Sequence, residues 1–352
     1  MSDVTALTVD IEPTNRCNAK CYFCPRDATP HQGLMSPAVF EQALGRVVEL
    51  RARFAELGRP APRISLCGLG EPLLNRHTPE FVHRVREEGF DCTMSSNAAL
   101  LDESRAHALL EGGLQRICIN VGDREADYDD VYKLPWAKTR DNVLRFRDLA
   151  GDACEILIVL VDHRGDPAHL ESMRSYWREQ GVDAFVEYEI MNRGGALFVD
   201  HMQFEEYPQL TEARELLRVN EIEPICPTPF AFLFVGYDGQ HYLCCSDWKK
   251  EVPLGHVADA SFVDVMLDKL AHTRSRQLVC KTCNLDPVNK LVEAMRARDA
   301  GEADAPDVAE LLEKIRGFAA FAHGEIETLT GAPVPPAGAA ASTRRTIPVT
   351  AV

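Results

Sequence analysis

Apolar and polar positions alternate along the first two thirds of the chain in two rhythms. Short runs rich in β-branched residues read as strands: Ala6–Ile11, Arg63–Cys67, Asp91–Ser95, Arg116–Val121, Glu155–Val161 and Ala184–Ile190. Between them, Pro37–Ala55, Pro79–Gly89, Glu103–Glu111, Thr139–Leu149 and Pro167–Gln180 carry apolar residues at helical spacing. Ser36 before Pro37 and Asp102 before Glu103 are helix-start signals, because a short oxygen-bearing side chain satisfies the first free backbone N–H groups. Strand–helix alternation predicts βαβ units and a parallel sheet, and six strands are too few for a closed eight-stranded barrel. Beyond about Asn220 the rhythm changes. Phe230–Val235 and Gln240–Cys244 flank Tyr237-Asp238-Gly239, and Asp-Gly between two β-rich runs predicts a hairpin. Helices are expected at Phe262–His272, Pro287–Arg298 and Pro306–Phe321. The expected division is an α/β unit over 1–215, a smaller α+β module over 216–300, a C-terminal helix over 301–330 and a disordered tail, rich in Pro, Ala, Ser and Thr, over 331–352.

Parallel α/β folds bind ligands at the carboxyl ends of their strands. In this chain those ends are polar or glycine-rich. A cysteine-bearing loop follows the first strand, and Cys67-Gly68-Leu69-Gly70-Glu71-Pro72 follows the second. Ser95-Ser96-Asn97, Asn120-Val121-Gly122-Asp123, Asp162-His163-Arg164 and Met191-Asn192-Arg193-Gly194-Gly195 follow the next four.

Composition narrows the options. The chain has 352 residues and a net charge of −16, which disfavours nucleic acid or an anionic membrane as the main partner. It shows neither a secretory signal pattern nor an apolar run of membrane-spanning length. Twelve cysteines without a secretory signal read as metal ligands rather than disulfides, and a reducing cytoplasm is the expected compartment.

Cys17, Cys21 and Cys24 are spaced C-x3-C-x2-C. A structural 4Fe-4S cluster takes four thiolates, so this trio leaves one iron open. The alternative is zinc, which usually takes four N or S ligands; His31 is the only close fourth candidate. With Phe23 just before the last cysteine, the run resembles the motif that opens radical SAM enzymes. The resemblance covers about residues 5–200 and implies a partial (βα)6 TIM-like barrel. It also implies a cluster whose open iron is chelated by S-adenosylmethionine (SAM), cleaved reductively to a 5′-deoxyadenosyl radical. Gly68-Leu69-Gly70-Glu71-Pro72 resembles the family's GGEP loop, whose backbone binds the methionyl ammonium. Further SAM contacts implied are Phe23 near the adenine, Ser96 and Asn97 at the carboxylate or ribose, Asn120, and Asp162, for which a helix-start cap is an equal alternative. A flavodoxin- or ferredoxin-type reductant is the implied partner.

Cys226, Cys244, Cys280 and Cys283 form a second set, for which an all-cysteine zinc site is again the alternative. Two members flank the hairpin and two form a C-x2-C pair. This arrangement resembles the shortened SPASM module, called twitch, of some family members, implying a small α+β iron–sulfur module and one auxiliary 4Fe-4S cluster. Cys245 adjoins Cys244 and could be the ligand instead, although successive strand residues face opposite ways. Twitch-bearing relatives include aminoglycoside-pathway enzymes such as 2-deoxy-scyllo-inosamine dehydrogenase, so the resemblance implies antibiotic-biosynthesis chemistry. The leading expectation is oxidation of a small aminocyclitol or sugar-like alcohol with the auxiliary cluster as electron acceptor. Epimerisation, with Cys245 or Cys67 returning hydrogen, and peptide modification are alternatives; Cys17 arrives too early for a leader-binding segment before it. Glu189 and Arg193 are the candidate substrate residues, with Tyr188, His163 and Arg164 beside them.

Overall fold

The computed structural model describes residues 7–334. The sheet strands are β1 (Thr8–Ile11), β2 (Arg63–Leu66), β3 (Cys92–Ser96), β4 (Arg116–Asn120), β5 (Glu155–Asp162), β6 (Phe185–Glu189), β7 (Phe232–Val235), β8 (Gln240–Tyr242) and β9 (Pro253–His256). The barrel helices are α1 (Pro37–Glu56), α2 (Thr78–Glu87), α3 (Glu103–Glu111), α4 (Glu125–Tyr132), α5 (Trp136–Ala150) and α6 (Pro167–Glu179). There follow α7 (Gln209–Val219), α8 (Thr228–Ala231), α9 (Phe262–Arg274), α10 (Leu278–Thr282), α11 (Pro287–Ala300) and α12 (Val308–Thr330). None of the described helices is long and apolar enough to cross a membrane.

The caps act as the sequence suggests: Ser36 accepts from the Val39 N–H and Asp102 from the Arg105 N–H. Strands β1 to β4 bury the residues that face the helices, such as Val9, Ile11, Ile64, Leu66, Met94, Ile117 and Ile119. Five elements escaped the periodicity, among them the one-turn helices α8, which takes the first two residues of the expected strand Phe230–Val235, and α10. Helix α4 is too short to show a repeat, and α7 lies in a charged stretch. Strand β9 opens on Pro253, a residue that weakens any strand reading. Helix α12 runs past Phe321 to a left-handed Gly331, because Ala322, Ile326 and Leu329 still pack into the core. Of the expected disordered tail, 335–352 lies outside the described residues.

Six parallel strands run in the order β6-β5-β4-β3-β2-β1, as a partial barrel requires. The hairpin β7–β8 and then β9 continue this same sheet, with β7 parallel to β1 in the register Thr8↔Phe232 to Ile11↔Val235. The C-terminal cysteines therefore hang from the open edge of the barrel, next to the strand that precedes the cysteine loop.

The other face of the sheet is the lumen. The pairings Asp10↔Ser65, Ser65↔Thr93, Ser95↔Cys118, Asn120↔Val159 and Val161↔Tyr188 set out its inner rows. Ser65, Cys67, Thr93, Ser95, Cys118 and Asn120 are only partly buried, unlike their outward neighbours. A wall of small polar side chains lines a space open at the carboxyl ends.

Candidate active site

The cysteine loop leaves β1 and is closed at its base. Thr14 donates to the Gly33 carbonyl at 2.6 Å, and Asn15 holds the His31 carbonyl (2.6 Å) and the Gly33 N–H (2.8 Å). Cys17, Cys21 and Cys24 are partly buried, whereas the side chain of His31 faces solvent. Burial pushes the Cys17 thiol up to about 11 and Cys21 to about 12, so thiolates there need a compensating cation. Among the described residues no three His, Cys, Asp or Glu side chains converge as ligands of one ion do; a cubane instead takes each thiolate on a separate iron. Three soft donors in one loop suit such a cluster.

The Gly68–Pro72 loop packs against the base of this one. A Cβ on Gly70 would come within 2.4 Å of the Arg16 carbonyl oxygen and 2.6 Å of that of Thr14, and the Glu71 N–H donates to Arg16 O at 2.8 Å. Gly70→Ala should therefore destabilise the protein by about 1–3 kcal/mol, as other overpacked cores do, measurable as a lower urea midpoint; an unchanged midpoint would contradict the packing. Glu71 is buried and joins three loops: it accepts from Ser96 Oγ (2.8 Å), Asn97 N (2.7 Å) and Leu73 N (3.1 Å). Burial raises its carboxyl pKa and these bonds oppose the rise. Asn97 reaches Asn18 at 2.9 Å, and Asn120 donates to Ser95 Oγ at 3.1 Å. Ser96 is thus turned toward Glu71, while Asn120 lines the lumen. Asp162 accepts from the backbone N–H groups of Arg164, Gly165 and Asp166, which closes the loop after β5, whereas the cap of α6 is Asp166, which accepts from Ala168 N and His169 N.

Phe23 stacks on His163 with ring centres 5.1 Å apart. His163 bonds Tyr22 Oη through Nδ1 and the fully buried Asp123 through Nε2, at 2.5 and 2.7 Å. Arg164 and His169 also pair with Asp123. This network fastens the aromatic pair of the cysteine loop to the ends of β4 and β5. Sequence pattern alone could not pair Asp123 with His163.

The second thiol set comes together around α10. Cys226, Cys244, Cys280 and Cys283 are all buried. Burial, then the neighbouring thiols, raises Cys244 well above the usual thiol range, and the neighbours that act on it include all three others. Leu285 N lies 3.4 Å from Cys283 Sγ, the N–H···S contact that tunes iron–sulfur centres. Asn289 caps the carbonyls of Cys280, Lys281 and Cys283. Four adjoining thiols with backbone donors fit an all-cysteine cluster.

Cys245 lies between the two groups: the charges bearing on it, after burial, are those of Asp10, Arg193 and Cys283. Cys67 feels both Asp10 and Cys245, and Ser65 Oγ lies 3.1 Å from its Sγ. Asp10 was missed by sequence reading; the signal was an acid between Val9 and Ile11 inside the first strand. Burial pushes the Asp10 carboxyl up to about 6, opposed by hydrogen bonds with Cys67 and Ser65 and by the buried Lys269 ammonium.

Of the two substrate candidates, Glu189 does not reach the lumen. It shares the outward face of Glu187, which pairs with Arg174 on α6, and Tyr188 is the residue that turns inward. Strand alternation decides this. Arg193 stands at the rim, its guanidinium 5.7 Å above the Trp248 ring.

The sequence profile of the Radical SAM superfamily matches residues 11–174, and that of an iron–sulfur cluster-binding domain, SPASM, matches residues 226–284. The probable GTP 3′,8-cyclase of Archaeoglobus fulgidus is 29% identical over 153 residues, 44% of this chain and 46% of that protein. The chain thus spans less than half the length of the first curated relatives it matches. SuiB of Streptococcus suis bound to S-adenosylmethionine has a TM-score of 0.57 at 14% identity, covering 83% of this chain and 75% of its own. Native anSMEcpe with bound AdoMet and Cp18Cys peptide has a TM-score of 0.55 at 17% identity, covering 93% and 100%. At these identities the likeness is one of fold.

Proposed function

The chain belongs to the radical SAM superfamily and carries an SPASM iron–sulfur domain, and from that premise we propose that it oxidises an alcohol carbon of a small aminocyclitol or sugar-like substrate. The observation that carries this reading is the setting of two adjacent cysteines. Burial and the thiols of Cys226, Cys280 and Cys283 raise Cys244, while its neighbour Cys245 feels Asp10 as well as Cys283, which supports a second centre close to the space where substrate would sit. When bound, SAM with the first cluster supplies a hydrogen-abstracting radical, and the second cluster supplies a one-electron acceptor. Cys17, Cys21 and Cys24 would hold the first, and Cys226, Cys244, Cys280 and Cys283 the second.

The chain's own residues do the rest. Asp10 takes the proton of the substrate hydroxyl, the third particle that leaves when an alcohol loses a hydrogen atom and an electron. Its carboxyl is poised near neutrality, as a general base should be. The Glu71 bridge fixes the SAM loop against Ser96 and Asn97, and Phe23 with His163 walls the adenine end. A flavodoxin- or ferredoxin-type protein supplies the starting electron, and the setting is the cytoplasm.

The test is anaerobic turnover of alcohols deuterated at the carbinol carbon. Deuterium in 5′-deoxyadenosine together with a ketone supports oxidation. An isomer of unchanged oxidation state that carries solvent hydrogen would contradict it and favour the second reading, in which Cys245 or Cys67 returns hydrogen. Their closeness to Asp10 is what keeps that reading in play.

Asp10→Asn should slow ketone formation by about 10²–10⁴-fold while SAM cleavage continues. In the wild type the carboxyl loses its proton as pH rises through about 6, so ketone formation should fall on the acid side of that value. Full product from Asp10→Asn, or a flat acid limb, would remove Asp10 from the chemistry.

A further inference from the structure

The loop after β6 is locked to the second cysteine set with unusual care. Asn192 and Asn284 exchange bonds, each backbone N–H to the other's side-chain oxygen at 3.2 Å. Thr282 Oγ1 donates to Gly194 O at 2.8 Å. A Cβ on Gly194 would meet Val279 at 2.4 Å, and one on Gly195 would meet Thr282 at 2.7 Å. Between these anchors Arg193 is held at φ +51°, a left-handed conformation that disfavours a residue with a Cβ. Glycine or asparagine would sit there with less strain, so the guanidinium is what the position supplies.

That guanidinium has no carboxylate partner among the described residues, in a chain with 54 acidic residues. By contrast, Arg164 pairs with Asp123 and Asp127, and Arg26 with Asp27. Arg193 instead lies partly buried over the Trp248 ring, where its charge reaches Cys24 of the first set, Cys245 and Tyr188. A partly desolvated cation without a counter-ion, at the rim between two cysteine centres, calls for an anion from outside the chain.

We infer that Arg193 anchors an anionic group of the substrate, a carboxylate or a phosphate, between the two cysteine centres. This rests on the lumen being the substrate site and, of the two classes proposed above, keeps the sugar-like alcohol in anionic form and sets the cationic aminocyclitol aside. A planar fork on a fixed backbone suits the oxygens of either group.

The test is calorimetric binding of glucuronate, glucose 6-phosphate, glucose and glucosamine to the anaerobic, SAM-loaded holoenzyme. At least one anion should bind about ten- to a hundredfold more tightly than glucose, and which one identifies carboxylate or phosphate. Arg193→Gln should lose that preference and Arg193→Lys should keep part of it, with SAM still perturbing the cluster EPR signal of both. Equal or absent binding of the four, a preference for glucosamine, or a preference that survives Arg193→Gln would overturn the inference. So would loss of the SAM-perturbed signal in Arg193→Gln, which would assign the guanidinium to SAM's own carboxylate. A wild-type holoenzyme that never cleaves SAM would instead sink the enzymatic reading beneath it.

Discussion

Changing Lys250 to methionine is expected to destabilise the protein by about 3–5 kcal/mol, read as a lower urea midpoint of the anaerobic holoenzyme. The Lys250 ammonium lies 2.9 Å from Glu12 Oε2, with side chains only 6% and 0% exposed. It also sits over the rings of Tyr242 and Tyr237, 4.5 and 4.9 Å from their centres. Glu12 itself receives the Leu69 N–H at 2.8 Å and the Tyr237 N–H at 3.1 Å. One carboxylate thus ties the end of β1, the SAM loop and the hairpin turn together. Without Lys250 it is left buried and uncompensated, and the two backbone donors offset only part of that loss. The double variant Glu12→Gln/Lys250→Met removes both charges and should recover most of the stability. A Lys250→Met protein as stable as the wild type, or a double variant no better than the single, would show that this junction does not hold the sheet edge.

Replacing Cys226, Cys280 and Cys283 together by alanine should abolish ketone formation while SAM cleavage continues without coupled product. These three, with Cys244, are the proposed donors of the second centre and lie within the stretch that the iron–sulfur domain profile matches, whereas the Cys17–Cys24 loop and Glu71 belong to the barrel. Metal ligation and folding are coupled, and α10 with Asn289 forms part of this module. Circular dichroism of the variant must therefore accompany the assay. A folded variant that makes full product would remove the second centre from the reaction.

The local features were legible because their signals are local. The caps at Ser36 and Asp102, the turn at Asp238-Gly239 and the two cysteine runs each declare themselves within a few residues. What the sequence hid is non-local. The parallel pairing of β7 with β1 joins strands more than two hundred residues apart, so no local signal shows that the hairpin continues the barrel sheet. The Asp123–His163 pair and the Glu12–Lys250 pair likewise join distant loops. Glu189 was misplaced for a simpler reason: a strand's alternation is visible, but which parity faces inward depends on the register with β5. The same logic, applied to Asp10, would have flagged an acid on the inner face. Cys244 and Cys245 follow the end of β8 at Tyr242, so strand alternation does not decide between them.

The most direct test of two centres in one chain is iron and sulfide content with EPR after anaerobic reconstitution, comparing wild type with the Cys17/Cys21/Cys24 triple alanine variant. The account predicts about eight irons falling to about four, with a SAM-perturbed signal in the wild type alone. About four irons falling to none would contradict it, leaving the C-terminal thiols without a cluster and the proposed oxidation without its electron acceptor.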